Sequence, residues 1–421
     1  MLMRVVRLLL LPLVFSAIAL PVRADDKPAA DRPADDKPKG RTEFGVLPLI
    51  GGDSDLGFGG GGLVSLTRVG PGSVPYRWRA EIGAFVSFKA SANDGGLEVP
   101  YQDAYLLLTV PDWIRNRLRL EFRPSFTHEF NQNYYGIGNA TAAPERGPRG
   151  QSQADYFQYA RLHPTLAVRI LLNLGRGVFL QFGNSLTYNE IGVHAGSKLD
   201  RDRRSPNPDV RDFFGPLKPH LVNFFEYSLI YDARDNETSP LRGMYHQLRL
   251  RLSPGGTEPM PYRYGQLNAT ARYYVTPIRH WTFAFRLIGD VLFGDPPFYE
   301  LPRFEDTFAL GGVNGVRGVP GQRYYGKIKL FGNIETRAQL ASFMLFGLDC
   351  TLGGVLFIDA GRLWSDWTSD PEFDGRGLGL KYGLGAGVRF QQGTAFVVRG
   401  DIAWSPDARP LGAYVTAGQI F

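Results

Sequence analysis

From Phe44 onward the chain keeps a period of two over long runs. In Tyr76 to Lys89, Tyr76, Trp78, Ala80, Ile82, Ala84, Val86 and Phe88 share one parity, while Arg77, Arg79, Glu81, Ser87 and Lys89 hold the other. The next clear run sets Leu118, Leu120, Phe122, Phe126 and Phe130 against Arg117, Arg119, Glu121, Arg123 and Glu129. Met244, His246, Leu248, Leu250 and Leu252 oppose Gln247, Arg249 and Arg251, and Trp281, Phe283, Phe285, Leu287, Val291 and Phe293 oppose Thr282, Arg286 and Asp290. A later run places Leu378, Leu380, Tyr382, Leu384, Ala386, Val388 and Phe390 against Lys381 and Arg389. Successive strand side chains point to opposite faces, so each run is a strand with one apolar and one charged face.

Strand length then separates two all-β architectures. Strands of soluble sandwiches are usually about 5–6 residues long, whereas a tilted membrane-spanning strand needs roughly 9–11. Several runs here exceed the first length. Aromatics near run ends (Tyr76, Trp78, Trp281, Trp364 and Trp404) suit interfacial girdles. The pattern predicts a transmembrane antiparallel β-barrel of about sixteen strands, the even number expected of bacterial barrels, whose closure removes unpaired edges that are costly in lipid. The intervals Ala140–Ala154, His194–Lys218 and Gly294–Tyr325 are long and polar or rich in Gly and Pro, and read as loops. Short links such as Gln391-Gln392-Gly393 read as turns at the other end. The chain therefore divides into residues 1–24, 25–42 and a barrel over 43–421.

Residues 1–24 have the build of a secretory signal: Arg4 and Arg7, an apolar stretch from Leu8 to Leu20, and Val22-Arg23-Ala24 at a small-x-small cleavage site. The segment that follows, Asp25 to Lys39, alternates Asp, Pro, Lys and Ala and carries too little apolar surface to fold, so it reads as a disordered leader. It is too short for a folded periplasmic module.

Composition changes this picture little. The formal net charge of +6 is spread along the chain rather than clustered on one face, which argues against a nucleic-acid partner. A single cysteine, Cys350, excludes an internal disulfide and reads as a small residue at a strand start. No Gly-x-Ser-x-Gly elbow occurs; His128 reads as an interfacial strand residue. Gly57 to Gly62 lacks the Lys-Ser/Thr of a phosphate loop, and no two histidines have metal-ligand spacing. No catalytic residue, cofactor or metal is therefore expected. Lumen-facing arginines can attract anions, as charged pore linings do, but Glu81, Glu121, Glu129 and Asp290 share their parity and can neutralise them, which favours a structural role over selectivity.

The stretch from Asp306 to Leu340 is the most distinctive. Leu310-Gly311-Gly312 is followed by Val316-Arg317-Gly318, and Arg317 has no charged neighbour in sequence. Phe357-Ile358-Asp359-Ala360-Gly361 precedes Trp364, and Tyr231-Asp232-Ala233-Arg234-Asp235 precedes Pro240 and Gly243. With the weaker Asn133–Asn139 segment (NYYGIGN), this ordered set resembles the Omp85 or bacterial surface antigen D15 superfamily of BamA-, TamA- and FhaC-like outer-membrane barrels. The resemblance implies that loop six folds into the lumen, with Gly311, Gly312 and Gly318 shaping it and Arg317 meeting Asp359, with Glu335 as a second partner. The parity of Lys329, Asn333, Glu335, Arg337 and Gln339 independently turns Glu335 inward. Asp232, Arg234 and Gly243 would form the family's strand motif. Val319 stands where the family places Phe or Tyr, which predicts looser packing at the loop tip.

The last run, Ala413 to Phe421, ends on an aromatic that resembles the signal read by barrel-assembly machinery, and the resemblance implies a working seam between Phe44–Ile50 and Ala413–Phe421. Gly412 and Gly418 are expected to weaken pairing there. The implied role is insertion or translocation of proteins or lipids at the bacterial outer membrane, with membrane lipid and unfolded outer-membrane or secreted proteins as partners. A passive pore or structural barrel is the alternative.

Overall fold

A computed structural model describes residues 40–421 apart from 71–75, 92–95, 115–116, 143–147, 149–151, 153–155, 216, 306–307, 346–347, 394–395 and 407–410. Residues 1–39, which hold the expected signal and most of the expected leader, thus lie outside the described residues. Arg41 and Thr42, ascribed above to the leader, instead begin the first strand, because they pair with Val69 and Arg68.

Sixteen wall strands follow one another around the barrel. They are β1 (Arg41–Asp53), β2 (Gly57–Val69), β3 (Trp78–Ala90), β4 (Tyr101–Trp113), β5 (Leu118–Asn133), β6 (Gln158–Leu162 and Thr165–Gly175), β7 (Val178–Gly192) and β8 (His220–Asp232). Then come β9 (Gly243–Pro254), β10 (Arg263–Ile278), β11 (Trp281–Gly294), β12 (Ile328–Leu345), β13 (Leu348–Trp364), β14 (Lys381–Gln392), β15 (Phe396–Trp404) and β16 (Gly412–Ala417). Each pairs antiparallel with its sequence neighbours, and β16 returns to β1. Strand β6 is interrupted at His163-Pro164, yet both halves lie between β5 and β7. Proline cannot donate to a ladder, which accounts for the break.

The two-residue period is realised as outside and inside. Along β8, Phe225, Tyr227, Leu229 and Tyr231 are exposed outward while Phe224, Glu226, Ser228 and Ile230 are buried. Along β11, Phe285 and Leu287 face out and Arg286, Ile288 and Asp290 face in. An apolar outside over a polar inside is the inverse of a soluble core and suits lipid as the surrounding solvent. No helix among the described residues is long and apolar enough to cross a membrane. Leu378 and Leu380, read above as part of a strand, lie in the link before β14. Gly375, Gly377 and Gly379 all have positive φ there, and the ladder starts only at Lys381.

The long links gather at one end. Between residues 295 and 327 the chain, here called loop six, turns inward, and Leu310, Val316, Val319 and Tyr324 pack on Ile288, Phe331 and Leu363 of the wall. Val319 is fully buried in that cluster, so the tip is well packed and the looser packing expected from the missing aromatic does not occur. Above it, Tyr134, Phe214, Phe298, Tyr299 and Tyr325 belong to an aromatic cluster contributed by three different links. The lumen is therefore stoppered at the long-loop end.

Replacing Leu287, which is half-exposed at the middle of β11, by Arg places a charge at the lipid midplane, where the cost is about 2–4 kcal/mol. Denaturant unfolding of the barrel in lipid vesicles checks this, and an unchanged midpoint would mean that this face does not meet lipid.

Candidate functional site

Two features organise the interior: a buried charge hub and an incomplete seam. At the hub, Arg317 has no solvent exposure. Its Nε donates to Asp359 Oδ2 at 2.7 Å and its second terminal nitrogen to Asp359 Oδ1 at 3.0 Å, a bidentate fork. The backbone N–H of Arg317 also donates to Asp359 Oδ2, at 3.1 Å. The remaining nitrogen donates to Glu335 Oε1 at 2.8 Å and to Asp401 Oδ2 at 3.1 Å. The guanidinium carbon lies 3.3 Å from the ring centre of Phe357, a cation–π contact in a dry site.

One guanidinium among three carboxylates would leave an excess of negative charge. Arg337 donates to Glu335 Oε2 at 2.8 Å, and Arg389 donates to Asp401 Oδ1 at 2.5 Å, which balances the group. Asp359 also accepts from Asn333 Nδ2 at 2.7 Å. Wall strands β12, β13, β14 and β15 all contribute, so the hub ties loop six to one side of the barrel.

Room for the loop comes from β14. A Cβ at Gly383 would stand 1.8 Å from the Arg317 carbonyl oxygen, and one at Gly387 would stand 1.9 Å from Asp401 Oδ1. These glycines alternate with outward Tyr382, Leu384, Ala386 and Val388, so they form an inward trough. That alternation was visible in the sequence but was not singled out. Asp401 was missed too; its inward parity with Arg399 and Ala403 is the signal that marks it. Within loop six, Gly312 N–H donates to Val319 O at 2.8 Å, and a Cβ at Gly311 would meet Pro320 O at 2.1 Å, so both glycines serve the fold-back itself. The NYYGIGN segment touches the same loop, with Asn133 Nδ2 donating to Gly321 O at 2.8 Å.

Asp232, Arg234 and Gly243 do not join this hub. Arg234 forks onto Asp232 at 2.9 and 2.7 Å and braces the link between β8 and β9 at the opposite end of the barrel.

The seam is short. Strand β1 has 13 residues, but only Gly52 and Asp53 are in register with β16, opposite Val415 and Tyr414. The Ser54 N–H adds one bond to Ala413 O at 3.1 Å. Strand β16 stops at Ala417 instead of running on to Phe421, because Gly418 takes φ +83° and turns the chain out of the wall. Ile420 and Phe421 enter the lumen and pack on Tyr274 and Ala284. Arg286 donates to Ile420 O at 3.0 Å and Arg337 to Phe421 O at 3.1 Å. Arg286 also holds the loop-six carbonyl of Asn314, so the tail and the plug share a residue. The terminal aromatic is thus an inward group here and not an outward strand end.

Removing Arg317 strands buried carboxylates. Arg317→Ala is expected to cost about 3–5 kcal/mol, and Gly383→Val to unseat the loop with the hub residues unchanged. Limited proteolysis within residues 306–327 should become fast in both variants. Wild-type resistance in both would contradict the anchoring role.

No curated protein matches the sequence. Among solved structures the chain is similar to BamA from Haemophilus ducreyi lacking POTRA domains 1–3, with a TM-score of 0.58 at 12% identity over 91% of this chain and 70% of that one. It is likewise similar to CdiB from Escherichia coli, with a TM-score of 0.54 at 12% identity over 91% of this chain and 64% of that one. Identity this low speaks to the fold alone. The Omp85 superfamily domain matches residues 83–421, most of the described wall and all of the hub. On that match the chain belongs to the Omp85 superfamily, whose barrels reside in the outer membrane.

Proposed function

We propose that this barrel assists insertion or translocation of proteins at the outer membrane through the β1–β16 seam. The free edge of β1 carries the reading. Arg41 to Gly51 have no register partner on the β16 side among the described residues. Unpaired N–H and C=O groups at membrane depth are costly, and such an edge is a template for an incoming strand, which adds its own ladder of bonds. Phe44, Val46 and Ile50 are exposed along this edge, so an entering strand would meet apolar side chains as well as backbone.

A passive pore fits less well. The aromatic stopper and loop six fill the long-loop end and the β10–β15 side of the lumen. Space remains on the other side of the lumen, in a cavity of about 250 Å³ bounded by Arg123, Glu129, Arg161, Glu226 and, from loop six itself, Arg303, and in a second of about 310 Å³ bounded by Tyr105, Glu121, Arg123 and Arg169. The superfamily's barrels are in general not enzymes. Unfolded outer-membrane or secreted proteins, and the membrane lipid itself, are the partners this reading calls for.

Ser54→Cys with Ala413→Cys links the two sides of the seam where a backbone bond already joins them. Reconstituted in vesicles, the oxidised barrel should lose its acceleration of client-barrel insertion, and reduction should restore it. Equal acceleration in both redox states would contradict the seam mechanism. A steady ionic conductance indifferent to oxidation would favour the pore.

A further inference from the structure

Loop six reaches beyond its hub to both strands of the seam. The Gly318 N–H donates to Tyr414 Oη on β16 at 2.8 Å. Three residues later the Gly321 N–H donates to Asp55 Oδ2, in the β1–β2 link, at 2.6 Å. Tyr414 is buried, and Val319, between the two contacts, is buried as well.

Asp55 is not needed to cap its own turn. Asp53 does that, its Oδ1 accepting from the backbone amides of Asp55 at 2.8 Å and Leu56 at 2.7 Å. Lys89 Nζ steadies the turn from β3 by donating to the Asp55 carbonyl at 3.0 Å. The Asp55 carboxylate is thereby left to a partner 266 positions away in sequence. A backbone amide donating to a buried carboxyl oxygen is costly to leave unmade, and this one lies beside a seam with only two residue pairs in register.

We propose that Gly318–Gly321 is a clasp closing the long-loop end of the seam, with Tyr414 and Asp55 as its two positioning residues. The clasp rests on the seam reading and specifies what regulates it: β1 and β16 are held together by loop six as much as by each other. Separation of the strands therefore requires release at Asp55 or Tyr414, while Arg317 can stay seated on β12, β13 and β15.

The site also carries a pH signature. The groups acting on the Asp55 carboxyl are Asp53 on the same turn, Lys89 of β3, Tyr414 of β16, Tyr135 of the β5–β6 link, and the Gly321 amide. Burial first and then Asp53 push the carboxyl up to about 7, against the opposing pull of the Gly321 amide and Lys89. Released into water it would return to the ordinary range near ~4. A group raised in the closed state favours closure below its free pKa, and that contribution is lost as pH rises through about 7. The clasp is therefore tighter at pH 5 than at pH 8.

Hydrogen exchange of the purified full chain in detergent micelles, read by mass spectrometry and corrected for intrinsic rates, tests this. Asp55→Ala should raise exchange of segments 51–56 and 412–417 about tenfold, the scale of one buried hydrogen bond, and leave 281–294 unchanged. Tyr414→Phe should act on the same segments. Asp55→Asn keeps an acceptor and loses this carboxyl's titration, so it should retain wild-type protection at pH 5 and reduce the pH dependence, leaving only what Asp53, itself raised by burial, contributes. Unchanged exchange in Asp55→Ala overturns the clasp. Equal loosening by Ala and Asn, or loosening that extends to 281–294, overturns it as well, since Asp55 would then be acting on its turn or on the whole barrel. No client is present in this experiment, so loss of the client-insertion reading with these exchange effects intact would leave the clasp standing.

Discussion

A guanidinium removed from water among three carboxylates is the constraint on which the interior depends. Arg317 satisfies Asp359, Glu335 and Asp401, and each of those acids sits on a different wall strand. Arg337 and Arg389, which flank the same acids, are already engaged with Glu335 and Asp401. A buried ion group of this kind adds little net stability compared with an apolar core, but it penalises every arrangement that leaves a member unpaired. Here it specifies one position for loop six. The trough of Gly383 and Gly387 permits that position and would admit no side chain in its place.

That placement divides the barrel into unequal sides. From β10 to β15 the wall is braced from within by the loop, the tail and their arginines. Toward β1 the bracing ends, and the wall is closed by two register pairs, one further backbone bond and the two loop-six contacts at Tyr414 and Asp55. The inward tail deepens the asymmetry. Residues 418–421 would lengthen β16 if they stayed in the wall; bound to Arg286 and Arg337 they leave the β16-facing edge of β1 without a register partner before Gly52. A stable plug and a weak seam are thus two consequences of one arrangement of charges.

Much of the wall was legible from sequence because lipid outside and charge inside impose a strict two-residue period. Arg249, Arg251, Arg286 and Asp290 all carry the inward parity their runs gave them. Strand ends were less legible, since alternation continues through Leu378 and Leu380 after the ladder has stopped, and only the positive-φ glycines mark the end. The terminal run misled for a similar reason: Ala413 to Phe421 alternates acceptably, yet Gly418 bends it and the lumen arginines capture the tail. Asp359 stood out through family resemblance, whereas Asp401 lay in a short run where only its parity with Arg399 and Ala403 turns it inward. Asp55 was invisible, because its partner is a backbone amide, and a backbone amide leaves no mark on a sequence.

The central claim is that the hub immobilises one side of the barrel and leaves the seam as its weak edge. Electron–electron distance measurements in lipid nanodiscs test it most directly, with one spin-label pair at Ile50 and Ala417 across the seam and a second at Phe285 and Ile334, which face each other on β11 and β12. A broad distribution at the seam beside a narrow one on the braced wall is the predicted result. Two equally narrow distributions would contradict it.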